Sequence, residues 1–335
     1  MKILIDENKK QYKANLHCHS TCSDGRLTPE QLKEEYKKRG YSVLAITDHE
    51  HLVEHHDLTD EDFLLLTAYE MFVFTLPSDH IENSTSHLNL YSKTPHNKML
   101  YYSPDVVYSR YIRPEERPVA CHAEKETREH SIEFVRQTVK DAKEAGYIVC
   151  HCHPTWSFED EGFASAFDEC FAMELYNHSS YSGGFFEYDQ HYYDYQSKRG
   201  NRLGVLAVDD NHDFFPIGHP HNDSFGGMTY ILADELNYES VIGAMEKGDT
   251  YASTGPEIYS LTFDGSTFHA RTSDAERIIF VTNTRNRAIT IAPENESVNE
   301  YWFNLGETDK WVRLEVVDKE GKRAFSRAFF RDELI

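Results

Sequence analysis

The chain has 335 residues, with 34 Lys+Arg against 57 Asp+Glu and a net charge of -23. That length allows one barrel-sized domain plus a smaller one, and the acidity argues against long nucleic acid as a partner, since such proteins carry a basic footprint; a small phosphorylated substrate stays compatible if metal ions supply local positive charge. No apolar run reaches transmembrane length, and MKILIDENKK turns polar within six residues, which predicts a soluble, cytoplasmic protein with no membrane partner and leaves the oligomeric state open.

Residues 12–19 read as a strand. His17 and His19 sit two apart, so in an extended chain they project from one face and can hold one divalent ion. Thr28-Pro29-Glu30-Gln31 predicts a helix start, with Thr28 as cap, Pro29 in the first turn and Gln31 where a capping box needs it. Gly40 stops that helix. Residues 42–47 form a short apolar strand that runs into Asp48-His49. A helical crossover between two such strands predicts parallel neighbours, with both ligand pairs at one sheet edge. The polar loop that follows holds His51, His55 and His56, read as solvated or supporting residues.

An apolar strand over residues 63–69 is predicted to end at Glu70, and His87 opens the β-like run HLNLYS. Residues 92–130 lack periodicity. Their Arg113, Arg117, Lys125, Arg128, His122 and His130 either grip an anion or pair with Glu115, Glu116, Glu124 and Glu126. A helix is expected over 131–145, stopped at Gly146. A strand over 147–151 then meets His151-Cys152-His153-Pro154. The run FAMELYN ends in Glu174 and Asn177, and an aromatic helix is expected over 185–199. A strand over 203–208 precedes Asp209-Asp210-Asn211-His212, and a helix over 236–247 precedes GDTYASTGP. From residue 258 onward, alternating segments separated by turn residues predict a seven-stranded antiparallel sandwich with almost no candidate ligands. The six cysteines show no zinc-ribbon or disulfide spacing. Cys18, Cys150 and Cys152 alternate with histidines, which puts them behind the site as small buried side chains.

HxH, SDG, a helix, TDH, a His before Pro and a late DxH together resemble the polymerase and histidinol phosphatase (PHP) family, over roughly residues 12–256. The remainder is similar to a bacterial branch of predicted phosphoesterases that carry extra β domains. The resemblance implies an α/β fold: a distorted (β/α)7 barrel over residues 1–257, then a small antiparallel β-sandwich over 258–335. It implies two or three divalent transition-metal ions (Zn, Mn or Fe). His17, His19, Glu70 and Asp210 would hold the first, with Glu70 shared; Glu70, His87 and His153 the second; Asp24, His49 and His212 the third. Some family members have His where this chain has Asp24, and Asp209 stands where a small residue is common. Which of Asp209 and Asp210 is the ligand stays open. Asp48 and Glu174 are expected to support ligands, as is His151, which remains an alternative ligand. The implied chemistry is phosphoesterase hydrolysis of a small phosphorylated metabolite by a hydroxide bridging two ions, with His17, His19, Glu70 and Asp210 as the catalytic set. Arg26, Arg113, Arg117 and His122 are the substrate-binding candidates. Cleavage of an amide or carbamate, or of short oligonucleotides, is the alternative.

Overall fold

The segments VLAI and LLLTAYEMFV are buried almost throughout, so both faces of their sheet must be covered. The computed structural model, which describes residues 1–74, 85–102, 110–111, 121–124 and 128–335, shows how. In chain order the first strands are β1 (Lys2–Ile5), β2 (Lys10–Asn15), β3 (Val43–Ile46), β4 (Leu64–Val73), β5 (Ser86–Ser92), β6 (Met99–Tyr102) and β7 (Cys121–Glu124). Then follow β8 (Tyr147–His151), β9 (Ala172–Asn177), β10 (Gly204–Val208), β11 (Met228–Ala233) and β12 (Thr250–Ser253). β6 and β7 pair only with each other.

Seven strands, ordered β10-β9-β8-β5-β4-β3-β2, carry the candidate ligands. β2, β3 and β4 are mutually parallel, as the crossover argument predicts, and so are β8, β9 and β10. β5 runs antiparallel to both its neighbours. The sheet curls until its two ends approach. A parallel bridge joins Cys18 to Asn211, with Asp210 N donating to His17 O at 2.8 Å and His19 N to Asn211 O at 3.0 Å. Gly227 lets β11 close against β10 here: a Cβ would sit 2.4 Å from Val208 O.

One apolar cluster gathers alternate residues of these strands, among them Leu16, Val43, Ala45, Leu66, Cys150 and Val208. The opposite faces of β3 and β4, through Leu44, Ile46 and Leu65, pack with Leu32 and Tyr36 of the helix Pro29–Lys38. That helix starts as its sequence predicts. Thr28 Oγ1 accepts from Gln31 N, and Gln31 Oε1 accepts from Thr28 N at 2.9 Å. The expected aromatic helix is shorter than its pattern, covering Gln190–Arg199.

The tail strands are β13 (Ile258–Phe263), β14 (Thr267–Ala275), β15 (Arg277–Thr282), β16 (Ala288–Ile291), β17 (Val298–Asn304), β18 (Trp311–Val317), β19 (Arg323–Ser326) and β20 (Phe329–Phe330). They form two antiparallel layers, but neither layer belongs to the tail alone. One is ordered β1-β13-β14-β17 and borrows the N-terminal strand. The other, β19-β18-β15-β16 with β20 on β18, continues the large sheet through β12. The free backbone edge of β12 explains the continuity, because an unpaired edge seeks a partner strand. Phe263, Phe268, Phe280, Phe303, Leu314 and Val316 fill the space between the layers. No helix among the described residues is long and apolar enough to cross a membrane.

Candidate metal centre

The strand ends deliver their polar side chains to one edge. His17 and His19 follow β2, His49 follows β3, and Asp210 and His212 follow β10. Glu70 is not at the end of its strand; β4 continues to Val73, and Glu70 lies within it. His87 sits near the start of β5, yet reaches the same edge because β5 is antiparallel and its beginning lies beside the ends of its neighbours. Asp24 arrives on a loop folded back over His19. Gly25 makes that possible, since a Cβ there would lie 2.1 Å from His19 O.

Glu70 is at the middle, fully buried. Its Oε1 lies 2.8 Å from His87 Nδ1, 3.2 Å from His153 Nε2 and 3.5 Å from His17 Nε2. Its Oε2 lies 2.6 Å from His49 Nδ1 and 3.7 Å from His19 Nε2. Asp210 Oδ1 lies 2.9 Å from His19 Nε2 and 3.1 Å from His17 Nε2, and its Oδ2 is 3.8 Å from His153 Nε2. Asp24 Oδ1 lies 3.5 Å from His49 Nε2 and 3.6 Å from His212 Nε2. The structure therefore brings together His17, His19, Asp24, His49, Glu70, His87, His153, Asp210 and His212. Asp210 and His153 hold left-handed backbone conformations, at φ 54° and 25°. Such conformations cost about 1–3 kcal/mol each and cluster at functional sites.

The supporting residues explain the orientation. Glu174 Oε1 takes His17 Nδ1 at 2.7 Å, which turns His17 Nε2 toward the centre, while Oε2 accepts from His153 N and Asn177 Nδ2. Asn177 also donates to Asp210 Oδ2 at 3.1 Å. Ser157 Oγ holds His153 Nδ1 at 3.2 Å. Asp48 accepts from Ser20 N, Ser20 Oγ and Ser23 Oγ, and so shapes the loop that carries Asp24. The two neighbouring aspartates divide their work. Asp209 accepts from Phe225 N, Gly226 N, Gly227 N and Tyr36 Oη, so its carboxylate is spent on structure. Asp210 faces the imidazoles.

Burial and charge act against each other here. Burial would lower the pKa of His17, but the carboxylates of Asp210, Glu174 and Glu70 hold it well above the free imidazole value. His19 goes the other way, pushed well below by burial and by His49 and His212. Burial would raise Glu70, yet His87, His17 and His49 keep it well below the usual carboxylate range.

The donor geometry fits metal ions. His49 Nδ1 and Glu70 Oε2 are 2.6 Å apart, but neither finds a hydrogen-bond partner among the described residues, and His19 Nδ1 is buried without one as well. Ring nitrogens also face each other, His17 Nε2 and His19 Nε2 at 3.3 Å and His49 Nε2 and His212 Nε2 at 3.4 Å. These atoms aim at shared points rather than along hydrogen bonds. Subsets such as His17–His19–Glu70, His17–His153–Asp210 and His19–Asp24–His49–His212 each place their donor atoms within 4.8 Å of one another. Mixed imidazole and carboxylate donors suit a divalent transition metal.

A cavity of about 400 Å³ opens beside the cluster, walled in part by Phe72, Phe74, Trp156, Phe185 and Arg110. Arg110 carries no motif and lies in the segment without periodicity, so nothing in the sequence distinguished it. Of the expected anion-binding residues, Arg113 and Arg117 lie outside the described residues, as does Lys125. Arg26 is exposed and stacks over Phe214 at 4.9 Å, next to His212 rather than in the cavity wall. His122 is exposed, 2.8 Å from Asn97 Oδ1, and does not line the cavity. Arg128 is buried in a two-pronged pair with Glu50 at 2.5 and 2.8 Å. His151 points away from the centre, stacked on Phe167 with Glu159 Oε2 2.6 Å from its Nε2. Cys152 departs from the expected alternation: β8 ends at His151, and Cys152 Sγ comes within 4.8 Å of donor atoms of His17 and Glu174.

No family model matches the chain, and no curated protein matches it. Among solved structures it is similar to a two-domain protein from Bacteroides vulgatus containing a predicted PHP-like metal-dependent phosphoesterase, at 14% identity and TM-score 0.47, covering 98% of both chains. A candidate metal-dependent phosphoesterase from Bifidobacterium adolescentis is similar at 18% identity and TM-score 0.41, over 62% of this chain and 91% of that one. An amidohydrolase from Chromobacterium violaceum is similar at 16% identity and TM-score 0.39, over 59% and 87%.

Proposed function

We propose that the chain is a metal-dependent hydrolase of PHP type that releases phosphate from a small phosphorylated substrate. The seven strands β2–β5 and β8–β10 are read as its distorted barrel. The observation that carries the reading is the division of Glu70, whose two oxygens serve different imidazoles: His87, His153 and His17 around Oε1, His49 and His19 around Oε2. A carboxylate so shared suits two neighbouring ions. His17, His19, Glu70 and Asp210 would hold the first ion, Glu70, His87 and His153 the second, and Asp24, His49 and His212 a third. Zn, Mn or Fe bound there would activate water at neutral pH and polarise a phosphoryl oxygen.

The chain's own residues do the rest. Glu174 and Ser157 fix the rings of His17 and His153, and Asn177 fixes Asp210. Arg110 offers a cation to a phosphate oxygen entering the cavity. Phe72, Phe74, Trp156 and Phe185 exclude water and bind the apolar part of the substrate. Among the described residues Arg110 is the one Lys or Arg side chain in that wall, and so thin a basic lining favours a second reading, cleavage of an amide or carbamate.

The test is Glu70→Gln. Turnover of phosphomonoesters, assayed beside N-acyl and carbamate substrates, should fall by about 10² or more, and added metal should not restore it. Near wild-type turnover would remove Glu70 from the centre.

A further inference from the structure

Beside the histidine and carboxylate cluster, three more donor side chains converge from two loops. Cys22 lies in the loop after β2, Asp48 at the end of β3, and His55 in the loop before β4. One donor atom from each lies within 4.8 Å of the others. Asp48 is 1% exposed. His55 Nε2 is buried and finds no hydrogen-bond partner among the described residues. The loops are held in place by local bonds: Cys22 N donates to Ser20 Oγ at 3.0 Å, Cys22 O lies 3.2 Å from His51 Nδ1, and the Cys22 thiol sits beside the Ser20 hydroxyl. Asp48 is braced by the two serines: its Oδ1 accepts from Ser20 N and Ser23 Oγ, while its Oδ2 accepts from Ser20 Oγ alone and keeps a lone pair free.

We propose that Cys22, Asp48 and His55 form a further metal site, separate from the main centre, that takes a thiophilic divalent ion of the zinc class. One thiolate, one carboxylate and one neutral imidazole balance the two positive charges of such an ion. Sulfur selects for zinc-like ions over the hard cations that carboxylates alone would take. Three protein donors leave one position of a tetrahedral ion for water. On binding, the Cys22 S–H bond breaks, its proton passes to solvent, and the sulfur lone pair forms the bond to the ion.

The site does not depend on the phosphoesterase reading, and Co²⁺ titration of metal-stripped full-length protein tests the two separately. The wild-type chain should develop thiolate-to-cobalt absorption in the near ultraviolet. Cys22→Ser and His55→Gln should each bind one equivalent of cobalt fewer than wild type. The absorption should be lost in Cys22→Ser and retained in Cys152→Ala, which removes the competing thiol beside His17. A melt and a far-ultraviolet spectrum check that each variant folds, and His55→Gln alone decides the stoichiometry if Cys22→Ser does not fold. Absence of the absorption in wild type overturns the proposal. So does a band that survives Cys22→Ser and disappears in Cys152→Ala, and so does an unchanged cobalt count in His55→Gln. Binding of a single, Cys22-dependent ion would support this site while defeating the main centre.

Discussion

The large sheet buries its two stretches by opposite means. At the ligand-bearing edge, between β10 and β2, the hidden groups are imidazoles and carboxylates: His17, His19 and Glu70 are fully buried and His153 nearly so. Beyond β12 the buried groups are Phe280, Leu314, Val316 and Phe325, and the one deeply buried cation there, Arg313, is paired with Asp194 and Glu315. The tail's buried side chains are mostly apolar, and its buried polar atoms without hydrogen bonds among the described residues are Arg277 Nε and Trp311 Nε1. The edge leaves buried nitrogens and oxygens without hydrogen bonds, a costly state unless something else occupies their lone pairs. The difference teaches that one sheet can separate stability from function, with ions belonging to one stretch and packing to the other.

The strongest way to break that separation is Phe280→Ala. The ring is fully buried against Phe268, Phe303 and Tyr301. Its removal should lower the unfolding free energy by about 3–5 kcal/mol, read by denaturant titration, while metal per folded chain stays at the wild-type count. Loss of metal from a chain that is still folded would show the stretches to be one unit. Glu174→Gln attacks from the other side. It weakens the grip on His17 Nδ1 and on the His153 backbone, and should reduce metal affinity about 10–100-fold in competition with a chelator. The metal-free melt should move little, and an unchanged affinity would mean that His17 needs no orienting partner. The smallest expected effect is Thr28→Ala, which removes one side of the capping box. A loss of about 1 kcal/mol in stability is expected, with metal affinity intact. A larger change in affinity than in the melt would couple this helix start to the centre.

Local pattern made much of the edge readable. His17 and His19 lie two apart just past the end of β2, with Cys18 between them bridged to Asn211, and both reach the centre as their spacing predicts; the helix between β2 and β3 was legible from Thr28, Pro29 and Gln31. What was not legible is set by distant partners. Nothing local separates Asp209 from Asp210; the distinction comes from Phe225, Gly226 and Gly227, whose amides claim the first. The reversed direction of β5, which carries His87 to the right edge, is a pairing property invisible in HLNLYS. Strand alternation also failed at Cys152, one residue past the end of β8. In the tail, alternation revealed strands but could not say that β19 pairs with β12 or that β1 joins β13.

That last pairing bears on how the chain is made. Lys2 pairs with Phe263 and Ile3 with Thr262, so β1 leaves the ribosome long before the strand that it joins. At about 5–20 residues per second, the delay is on the order of ten to fifty seconds. Throughout it the apolar run KILI has an open edge and no sheet to join, the kind of segment that recruits strands from other chains. Lys2 within the segment and Asp6, Glu7, Lys9 and Lys10 just after it put charges along that edge, the means by which exposed strands are kept from pairing wrongly.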